Sequence, residues 1–411
     1  MKIPNETWVI FTLQMLNSLG WSVTMPFLAV YLEVARGVSL SIIGFTYLLT
    51  GFFILASQLV AGRLTDSLGP KRVMLIGYVS SLISAIILGQ LIEVDASVSL
   101  ILLLYPVFSF VRTISQPASS AIIASQTREN IRLGYSVITV GGNLGFAIGP
   151  AIGGVLAQEY DYSSVFLLSA ATSGVVGIIA TFGIKGGMLL SANKKASRAV
   201  SRRWLSWKRD RTLLTFLLLT MGSFLAVGYE ITPLSLYVAG FLRFSNEQIG
   251  YLFATNGLVI VILQIPLTKV MEKTQRLITP LIFSSAFAAL AFVVASLSST
   301  FAEMEAVMVA ITLAEIFQTV PSQTVMAYFS RSGNRGTYQG YYLAFTNVGR
   351  SIASFVGPLS FSLLLVIDVR LAWIAIAIFS TVVGFFYYLL SPKLQREYEV
   401  QERDEEESAS H

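Results

Sequence analysis

Long apolar runs alternate with short polar stretches along the whole chain. A helix that spans a bilayer needs about 20 consecutive, mostly apolar residues, and runs of that length recur from one end of the sequence to the other. They predict twelve membrane-spanning helices, at 7–32, 39–62, 72–92, 98–124, 132–157, 162–184, 212–240, 247–268, 277–298, 304–329, 336–366 and 370–391. The pattern therefore predicts an all-α membrane protein.

The longest polar run between predicted helices lies at 186–210, and it divides the twelve helices into two sets of six. We expect an N-terminal six-helix bundle at 1–185, a cytoplasmic linker at 186–210, a C-terminal six-helix bundle at 211–391 and an acidic tail at 392–411. The tail is charge-rich, and a segment of that kind cannot bury enough apolar surface to fold. We therefore expect it to be disordered.

Composition supports the membrane assignment. More than half of the 411 residues are apolar, only 12% are charged, and the mean hydropathy is +0.70; a soluble chain of this length cannot bury that much apolar surface. There is no cysteine, and the single histidine is His411, which excludes disulfides, thiolate or histidine catalysis and a histidine metal site. The chain also lacks a Walker-type phosphate loop. The sequence thus predicts neither an enzyme nor an ATPase.

Charged residues are sorted between alternate loops. Loops on one side carry most of the bases, whereas the opposite loops carry many acids and only three bases, Arg36, Arg243 and Arg370. Basic loops stay on the cytoplasmic side of a membrane, so we expect a multi-pass protein of the cell membrane with both termini cytoplasmic. The net charge of +5 then follows from topology. It predicts no nucleic-acid partner, and we expect a monomer in the lipid bilayer.

The two halves of the sequence resemble each other at an offset of 206 residues. The matched positions are Tyr31 with Tyr237, Ile43-Gly44 with Ile249-Gly250, Gln58 with Gln264, Asp66 with Glu272 and, within one residue, Pro26 with Pro233. Chance similarity among apolar helices is the alternative, but the matches include polar and proline positions. A repeat of this size indicates two bundles that move about a site near the middle of the membrane.

One polar stretch between the second and third predicted helices has a specific pattern. Gly62-Arg-Leu-Thr-Asp66-Ser-Leu-Gly69-Pro-Lys71-Arg72 fits G-x-L-x-D-x-x-G-x-K/R-K/R. With the twelve helices and the repeat, the chain resembles the major facilitator superfamily. The resemblance implies secondary active transport by rocker-switch alternating access, with Asp66 latching the cytoplasmic ends of the two halves. The topology rule is enough to explain Lys71 and Arg72, and a turn is enough to explain the two glycines. The alternative to a latch is that Asp66 is a plain turn residue.

A glycine-rich run in the fifth predicted helix gives a second resemblance. Gly145-Phe-Ala-Ile-Gly149-Pro150-Ala-Ile-Gly153-Gly154 fits G-x-x-x-G-P-x-x-G-G, a pattern similar to that of the 12-helix drug:proton antiporters of the superfamily. Glycines four residues apart share a helix face and let a neighbouring backbone approach closely, and the proline permits a bend. The resemblance implies an exporter, while a generic packing face is the alternative.

Four ionisable residues lie deep in the apolar runs: Arg112, Glu230, Glu315 and Arg350. Such residues are costly in a membrane and usually face a water-filled cavity or one another. If a proton gradient drives transport, Glu230 or Glu315 carries the proton, because no other acid is comparably deep. The alternative is that the two glutamates form permanent salt bridges with Arg350 or Arg112. No bound cofactor is expected.

Aromatic and amide side chains in the same runs are candidates for a substrate cavity. They are Gln14, Asn17, Trp21, Gln116, Tyr229, Tyr237, Asn256, Gln318, Tyr341 and Phe345. Aromatic rings suit lipophilic or cationic ligands, although they are equally common in helix packing. We predict a proton-coupled exporter of small lipophilic or cationic molecules, of the multidrug efflux type. The alternatives are a proton-coupled importer of sugars or other metabolites and a lipid or glycolipid flippase.

Overall fold

A computed structural model describes residues 5–124, 128–184, 211–273, 276, 278–329 and 335–409 of the chain. These residues form helices joined by short turns, and no strand occurs among them. Twelve helices, α1 to α12, correspond one to one to the predicted spans. Eleven of them are long and apolar enough to cross a membrane; the other, α11, has a polar first half. The predicted all-α fold is confirmed.

The helices of the first half of the chain are α1 (Asn5–Ser22 and Met25–Val30, with a π-helical turn at Tyr31–Ala35), α2 (Leu40–Leu68), α3 (Pro70–Glu93), α4 (Val98–Thr113 and Ser115–Ala124), α5 (Arg128–Glu159) and α6 (Tyr162–Gly183). Those of the second half are α7 (Arg211–Val227 and Thr232–Leu236, with a 3₁₀ turn at Gly228–Glu230 and a π-helical turn at Tyr237–Phe241), α8 (Asn246–Lys273), α9 (Thr279–Leu297), α10 (Phe301–Phe329), α11 (Arg335–Leu364) and α12 (Leu371–Ala409).

Helices α1 and α7 are interrupted at matching places. In each, the second segment has a proline at its first or second position, Pro26 in α1 and Pro233 in α7. Proline is favoured there because the first turn of a helix leaves its N–H groups without partners. The prolines that the sequence repeat paired thus mark equivalent breaks, and irregular backbone at membrane depth is typical of helices that line a cavity.

The chain folds into two compact units. Unit 1 comprises Met1–Ala192, Ile231–Val261 and Ser354–Ser362, and unit 2 comprises Asn193–Glu230, Ile262–Ala353 and Leu363–His411. Unit 1 therefore combines the first six helices with parts of α7, α8 and α11. The linker predicted at 186–210 lies outside the described residues, and the bounds predicted for the two six-helix bundles stay a prediction.

Aromatic side chains pack against one another in the core of each unit. In unit 1, Tyr105 and Phe108 of α4 pack with Phe166 of α6. In unit 2, Phe216 of α7 packs with Tyr387 of α12. Large apolar side chains are also exposed on many helices, as expected where lipid takes the place of water.

The C-terminal tail differs from the prediction. Helix α12 continues through the acidic segment to Ala409, whereas the charge-rich composition predicted disorder. The segment is rich in Glu, Gln and Arg, which are strong helix formers. It contains no glycine or proline after Pro392. A helix that already spans the membrane removes the nucleation cost, so extending it needs only favourable propensity.

Candidate functional site

The turn between α2 and α3 is made by Gly69 and Pro70. Helix α2 ends at Leu68, Gly69 adopts a φ of +83°, and Pro70 begins α3. Only glycine adopts this conformation without strain, and proline suits the first helical position. Gly62, in contrast, lies inside α2 with no atom near the position of a Cβ. The prediction that it forms the turn is therefore wrong, because α2 continues beyond it to Leu68.

The basic residues of this motif differ in their contacts. Lys71 donates hydrogen bonds from Nζ to the carbonyl oxygens of Thr181 (2.7 Å) and Ile184 (2.6 Å), at the end of α6. These carbonyls have no intrahelical partner, and a cation at a helix C-terminus is favourable. Arg72 is exposed. Lys71 thus ties α3 to α6, a role that the topology rule alone did not predict.

Asp66 lies in the last turn of α2. Its side chain is outside the described part of the structure, as is that of Glu272, its match in the repeat. The gating role of Asp66 stays a prediction.

The glycines of α5 form a face against the backbone of α1. A Cβ on Gly145 would meet the carbonyl oxygen of Met15, one on Gly149 would lie 2.8 Å from that of Leu19, and one on Gly153 would lie 2.7 Å from that of Val23. Real Cβ atoms do not approach so closely, so each position requires glycine. Close helix packing of this kind is the expected use of small residues four apart.

Gly154 lies on a second face of α5. A Cβ there would be 2.5 Å from the carbonyl oxygen of Asn246 and 3.0 Å from Cα of Gly250, both in α8. A Cβ on Gly250 would likewise lie 2.5 Å from the carbonyl oxygen of Pro150 in α5. Within unit 1, α5 is therefore in direct backbone contact with both α1 and α8.

The repeat is visible in unit 2 as well. A Cβ on Gly349 of α11 would meet the carbonyl oxygen of Met221 and lie 3.1 Å from the amide nitrogen of Leu225 in α7. Met221 and Leu225 stand 206 residues after Met15 and Leu19, which face Gly145. The contact of a glycine with the α1 backbone in unit 1 thus recurs at the matching positions of α7 in unit 2.

Arg112 is buried in unit 1 among neutral groups. Its Nη2 donates to the carbonyl oxygen of Asn17 (2.5 Å), and its Nη1 donates to Oγ of Ser169 (3.1 Å) and Ser81 (3.4 Å). The guanidinium also lies 5.7 Å from the ring centres of Trp21 and Phe108, within reach of cation–π attraction. The described residues of unit 1 give it no carboxylate partner.

The serines around Arg112 were not predicted. Ser81 is on α3 and Ser169 is on α6, and both are buried. Serine is common in these helices, and only the packing of α3, α4 and α6 shows which hydroxyls reach the guanidinium. The sequence contained no signal for them.

Glu230, Glu315 and Arg350 form a charged cluster in unit 2. Arg350 on α11 donates from Nη2 to Oε1 of Glu315 on α10 at 2.8 Å. Glu230, in the 3₁₀ turn of α7, is 3% exposed and interacts electrostatically with both. The break in α7 makes this possible because a Cβ on Gly228 would lie only 3.1 Å from Cα of Arg350. Two acids therefore share one base, which lies over the ring of Phe224 at 5.1 Å.

Several cavity candidates are buried in packing contacts. Tyr229 lies against Phe292 and Trp373, and Tyr237 lies against Phe241 and Phe361. Gln318 is fully buried, and its Nε2 donates to Oη of Tyr387 at 3.4 Å, while Asn256 and Tyr341 are also buried. These side chains are not on an open surface in this structure.

The remaining candidates are more accessible. Gln116 is exposed, and Gln14, Asn17, Trp21 and Phe345 are half-buried. Ser115 and Ser119, on the same helix as Gln116, are buried, and Ser119 donates to the sulfur of Met74. Whether any of these side chains binds a substrate stays a prediction.

Long apolar helices, broken helices at matching places and charges buried among them define a multi-pass membrane transporter of small molecules. The family model of the Major Facilitator Superfamily matches residues 10–354. The chain belongs to this superfamily.

Relatives and solved structures agree with this assignment. The chain is 24% identical over 361 residues to the MFS-type transporter YttB of Bacillus subtilis (strain 168), covering 86% of this chain and 88% of that one. It is 27% identical over 250 residues to the multidrug resistance protein MdtG of Proteus mirabilis (strain HI4320), covering 58% and 60%. A mutant of the nucleoside transporter NupG superposes with a TM-score of 0.80 at 15% identity, covering 94% of this chain and 99% of that one.

Proposed function

We propose that the protein is a proton-coupled exporter of small lipophilic or cationic molecules that works by alternating access. The observation that carries the proposal is the cluster of Glu230, Glu315 and Arg350, in which one buried and one half-buried carboxyl group share one guanidinium. A transporter of this kind needs a group that binds a proton in one state and releases it in another. The cluster provides that group.

Charge balance explains why a proton belongs in the cluster. With both glutamates ionised, the cluster carries one net negative charge in a largely buried place, and uncompensated charge at membrane depth is strongly disfavoured. A proton on one carboxyl group makes the cluster neutral. Because Glu315 holds the hydrogen bond with Arg350 and Glu230 is the more buried acid, we assign the proton in this state to Glu230.

A cationic substrate compensates the same negative charge as a proton does. If the two compete for the cluster, binding of one promotes release of the other, which is the requirement for exchange across the membrane. A lipophilic cation also suits the aromatic side chains of the helices. Competition between proton and substrate supports antiport, and not co-transport.

Two further observations favour export. The glycine motif of α5 resembles that of drug:proton antiporters, and its glycines make the close contacts with α1 and α8 that such a motif needs. One relative carries the name multidrug resistance protein. We further propose a monomer in the cell membrane with both termini cytoplasmic, driven by the proton gradient without a bound cofactor. Its two six-helix bundles would rock about the membrane midplane, with Asp66 as their cytoplasmic latch.

The test uses the purified protein in acid-loaded proteoliposomes, with ethidium as the transported cation. We expect the wild type to take up ethidium as protons leave, and Glu230→Gln and Glu315→Gln to lose at least about tenfold of the gradient-driven rate. Glu93→Gln, which removes an exposed acid, is the matched control and should keep the wild-type rate. Exchange of ethidium without a gradient should persist in the two cluster variants, which shows that they are folded.

Three results would overturn the proposal. The first is gradient-driven uptake at the wild-type rate in both cluster variants. The second is movement of substrate in the same direction as protons, which would indicate an importer. The third is translocation of a fluorescent lipid that does not respond to the gradient, which would indicate a flippase.

A further inference from the structure

Within unit 1, the second segments of α1 and α7 pack against each other, at the ends that the charge pattern predicts to be extracellular. We call this contact the α1–α7 seam, formed by residues 25–35 and 232–241. Each segment passes into a π-helical turn of five residues, at Tyr31–Ala35 and Tyr237–Phe241, in the register of the sequence repeat. Single π-helical turns are rare and are concentrated at functional sites.

Glu33 places a carboxyl group in this seam. A Cβ on Gly240 would collide with Oε1 of Glu33 and would lie 2.8 Å from its carboxyl carbon and 3.0 Å from Oε2. The carboxyl group therefore lies directly on the backbone of the α7 turn, and only a glycine at position 240 leaves room for it. Oε2 of Glu33 is buried, although the residue as a whole is half-buried, and it has no hydrogen-bond partner among the described residues.

No cation in the described structure compensates Glu33. Arg36, three residues later, is engaged elsewhere: Nη1 donates to Oη of Tyr31 (2.6 Å) and lies 3.7 Å from Oδ1 of Asp95, and Nη2 donates to the carbonyl oxygen of Ala96 (2.8 Å). The α2 segment 40–62, which packs beside the α1 turn, contains no charged residue. Other titratable or charged groups of the neighbouring elements are Tyr47, Tyr105, Tyr162, Tyr237 and the exposed Arg243.

We propose that Glu33 is a proton-binding residue of the α1–α7 seam, and that the closed seam holds it as the neutral acid. A buried carboxylate without a donor is far more costly than the neutral acid. When the seam separates, water reaches the carboxyl group and the charged form becomes stable. A proton taken up at this end thus favours closure, and loss of the proton favours opening.

The sequence prediction ends the first helix at residue 32 and so leaves Glu33 in a loop. The structure continues α1 through Ala35 and makes the residue part of a helix contact. This inference goes beyond the proposed function, since it concerns how one end of the transporter closes. It does not depend on which residue of the unit 2 cluster carries the transported proton.

The chain has no cysteine, so two introduced cysteines can be spin-labelled selectively. Suitable positions are Val94, which is 68% exposed after α3, and Tyr251, which is 45% exposed on α8. The distance between the labels is measured by pulsed electron paramagnetic resonance in lipid nanodiscs from pH 5 to pH 9. In the wild-type background the population with long distances should grow as the pH rises. A single proton limits the change in the ratio of open to closed forms to about tenfold per pH unit.

Three variants sharpen the measurement. Glu33→Gln, a neutral side chain of the same shape, should keep short distances at every pH. Gly240→Ala should give long distances at every pH, because its methyl group occupies the place of the carboxyl group. Glu159→Gln removes an exposed acid of unit 1 and should keep the wild-type pH dependence. The proposal fails if Glu33→Gln follows the wild-type pH curve, or if Glu159→Gln abolishes the dependence equally.

The outcome is separable from that of the transport assay. A seam that responds to pH through Glu33, in a protein that shows no gradient-driven transport, would sustain this inference and overturn the proposed function. Gradient-driven transport with a seam that ignores Glu33 would do the reverse.

Discussion

Arg112, which is buried, and Arg350, which is half-buried, show how one residue type serves two different purposes. Arg112 in unit 1 donates to a backbone carbonyl and to serine hydroxyls, whereas Arg350 in unit 2 pairs with a carboxylate and interacts with a second. Each guanidinium also lies near aromatic rings. The partners of Arg112 are neutral groups, whereas those of Arg350 are carboxyl groups, which can bind a proton. We infer a fixed, positioning role for the first and a titratable one for the second.

The difference also predicts how each site responds when its arginine is replaced. A hydroxyl that loses one partner has others: Ser169 donates to the carbonyl oxygen of Gly20 at 2.7 Å, and Ser81 lies 3.1 Å from Oγ of Ser173. A buried carboxylate that loses its only base keeps a full charge with nothing to neutralise it. Removal of the arginine should therefore be far more harmful in unit 2.

The largest effect is expected for Arg350→Met. Breaking a fully buried ion pair by removing one partner costs about 3–5 kcal/mol, which is an upper bound for the half-buried pair of Arg350 and Glu315, and here two acids lose the same base. The measurement is thermal unfolding in detergent. Adding Glu315→Gln to Arg350→Met should recover part of the loss, because it removes one of the uncompensated charges. A loss no larger than that of Arg112→Met would contradict the comparison.

The next effect is that of Arg112→Met, for which we expect roughly 1–3 kcal/mol, the cost of leaving buried polar groups without a donor. Its size should not depend on pH between 5 and 8, because no titratable partner is involved. Unfolding at several pH values measures this. Arg350→Met should differ, since its partners are carboxyl groups, whose uncompensated charge a proton removes, and equal pH profiles for the two variants would remove the distinction.

A smaller effect tests the glycine contacts that the two units share. Gly145→Ala and Gly349→Ala each place a methyl group against the backbone of a neighbouring helix, and we expect about 1–2 kcal/mol for each from overpacking. Gly142→Ala is the matched control, because its Cβ would have ordinary contacts of 3.5 Å or more. Thermal unfolding of the three variants compares them. If Gly145→Ala lowers stability and Gly349→Ala does not, unit 2 tolerates a methyl group at this helix contact and unit 1 does not.

The smallest effect concerns two aspartates at equivalent positions, before α6 and before α12. Asp161 accepts hydrogen bonds from the amide of Ser164 (2.9 Å) and the hydroxyl of Ser163 (2.7 Å), whereas Asp368 accepts one, from the amide of Arg370 (2.9 Å). As a helix cap, Asp161 should be worth about 1 kcal/mol. We expect Asp161→Ala to lower stability more than Asp368→Ala.

The contribution of Asp161 should depend on pH. Partial burial opposes ionisation, but the hydrogen bonds from Ser163 and Ser164 outweigh it and hold the pKa of Asp161 below its usual value. Its stabilising contribution is therefore present above the pKa of an unfolded aspartate and is lost as the pH falls through the lower, folded pKa. Wild type and Asp161→Ala should converge in stability at acidic pH. A constant difference down to pH 2 would contradict this.

Local patterns predicted the helices and the turn between α2 and α3 because their causes are local. Twenty apolar residues are enough to specify a membrane helix, and Gly69-Pro70 is enough to specify a helix end and the next start. Gly62 shows the limit: it belongs to the same motif, but the apolar run continues past it and the helix does too. The acidic tail shows another, since helix propensity and charge give opposite predictions there.

The sequence alone determined that this chain is a helical membrane transporter of the Major Facilitator Superfamily, because apolar length, loop charge and motif spacing are properties of neighbouring residues. It also identified the four deep ionisable residues, since an ionisable residue within a long apolar run can be seen in the sequence before its partner is known. Only the tertiary structure decided that Arg112 binds serines, that Arg350 binds Glu315, and that Glu33 lies against Gly240. These partners are far apart in the chain, and their meeting depends on how helices pack, which no single helix encodes.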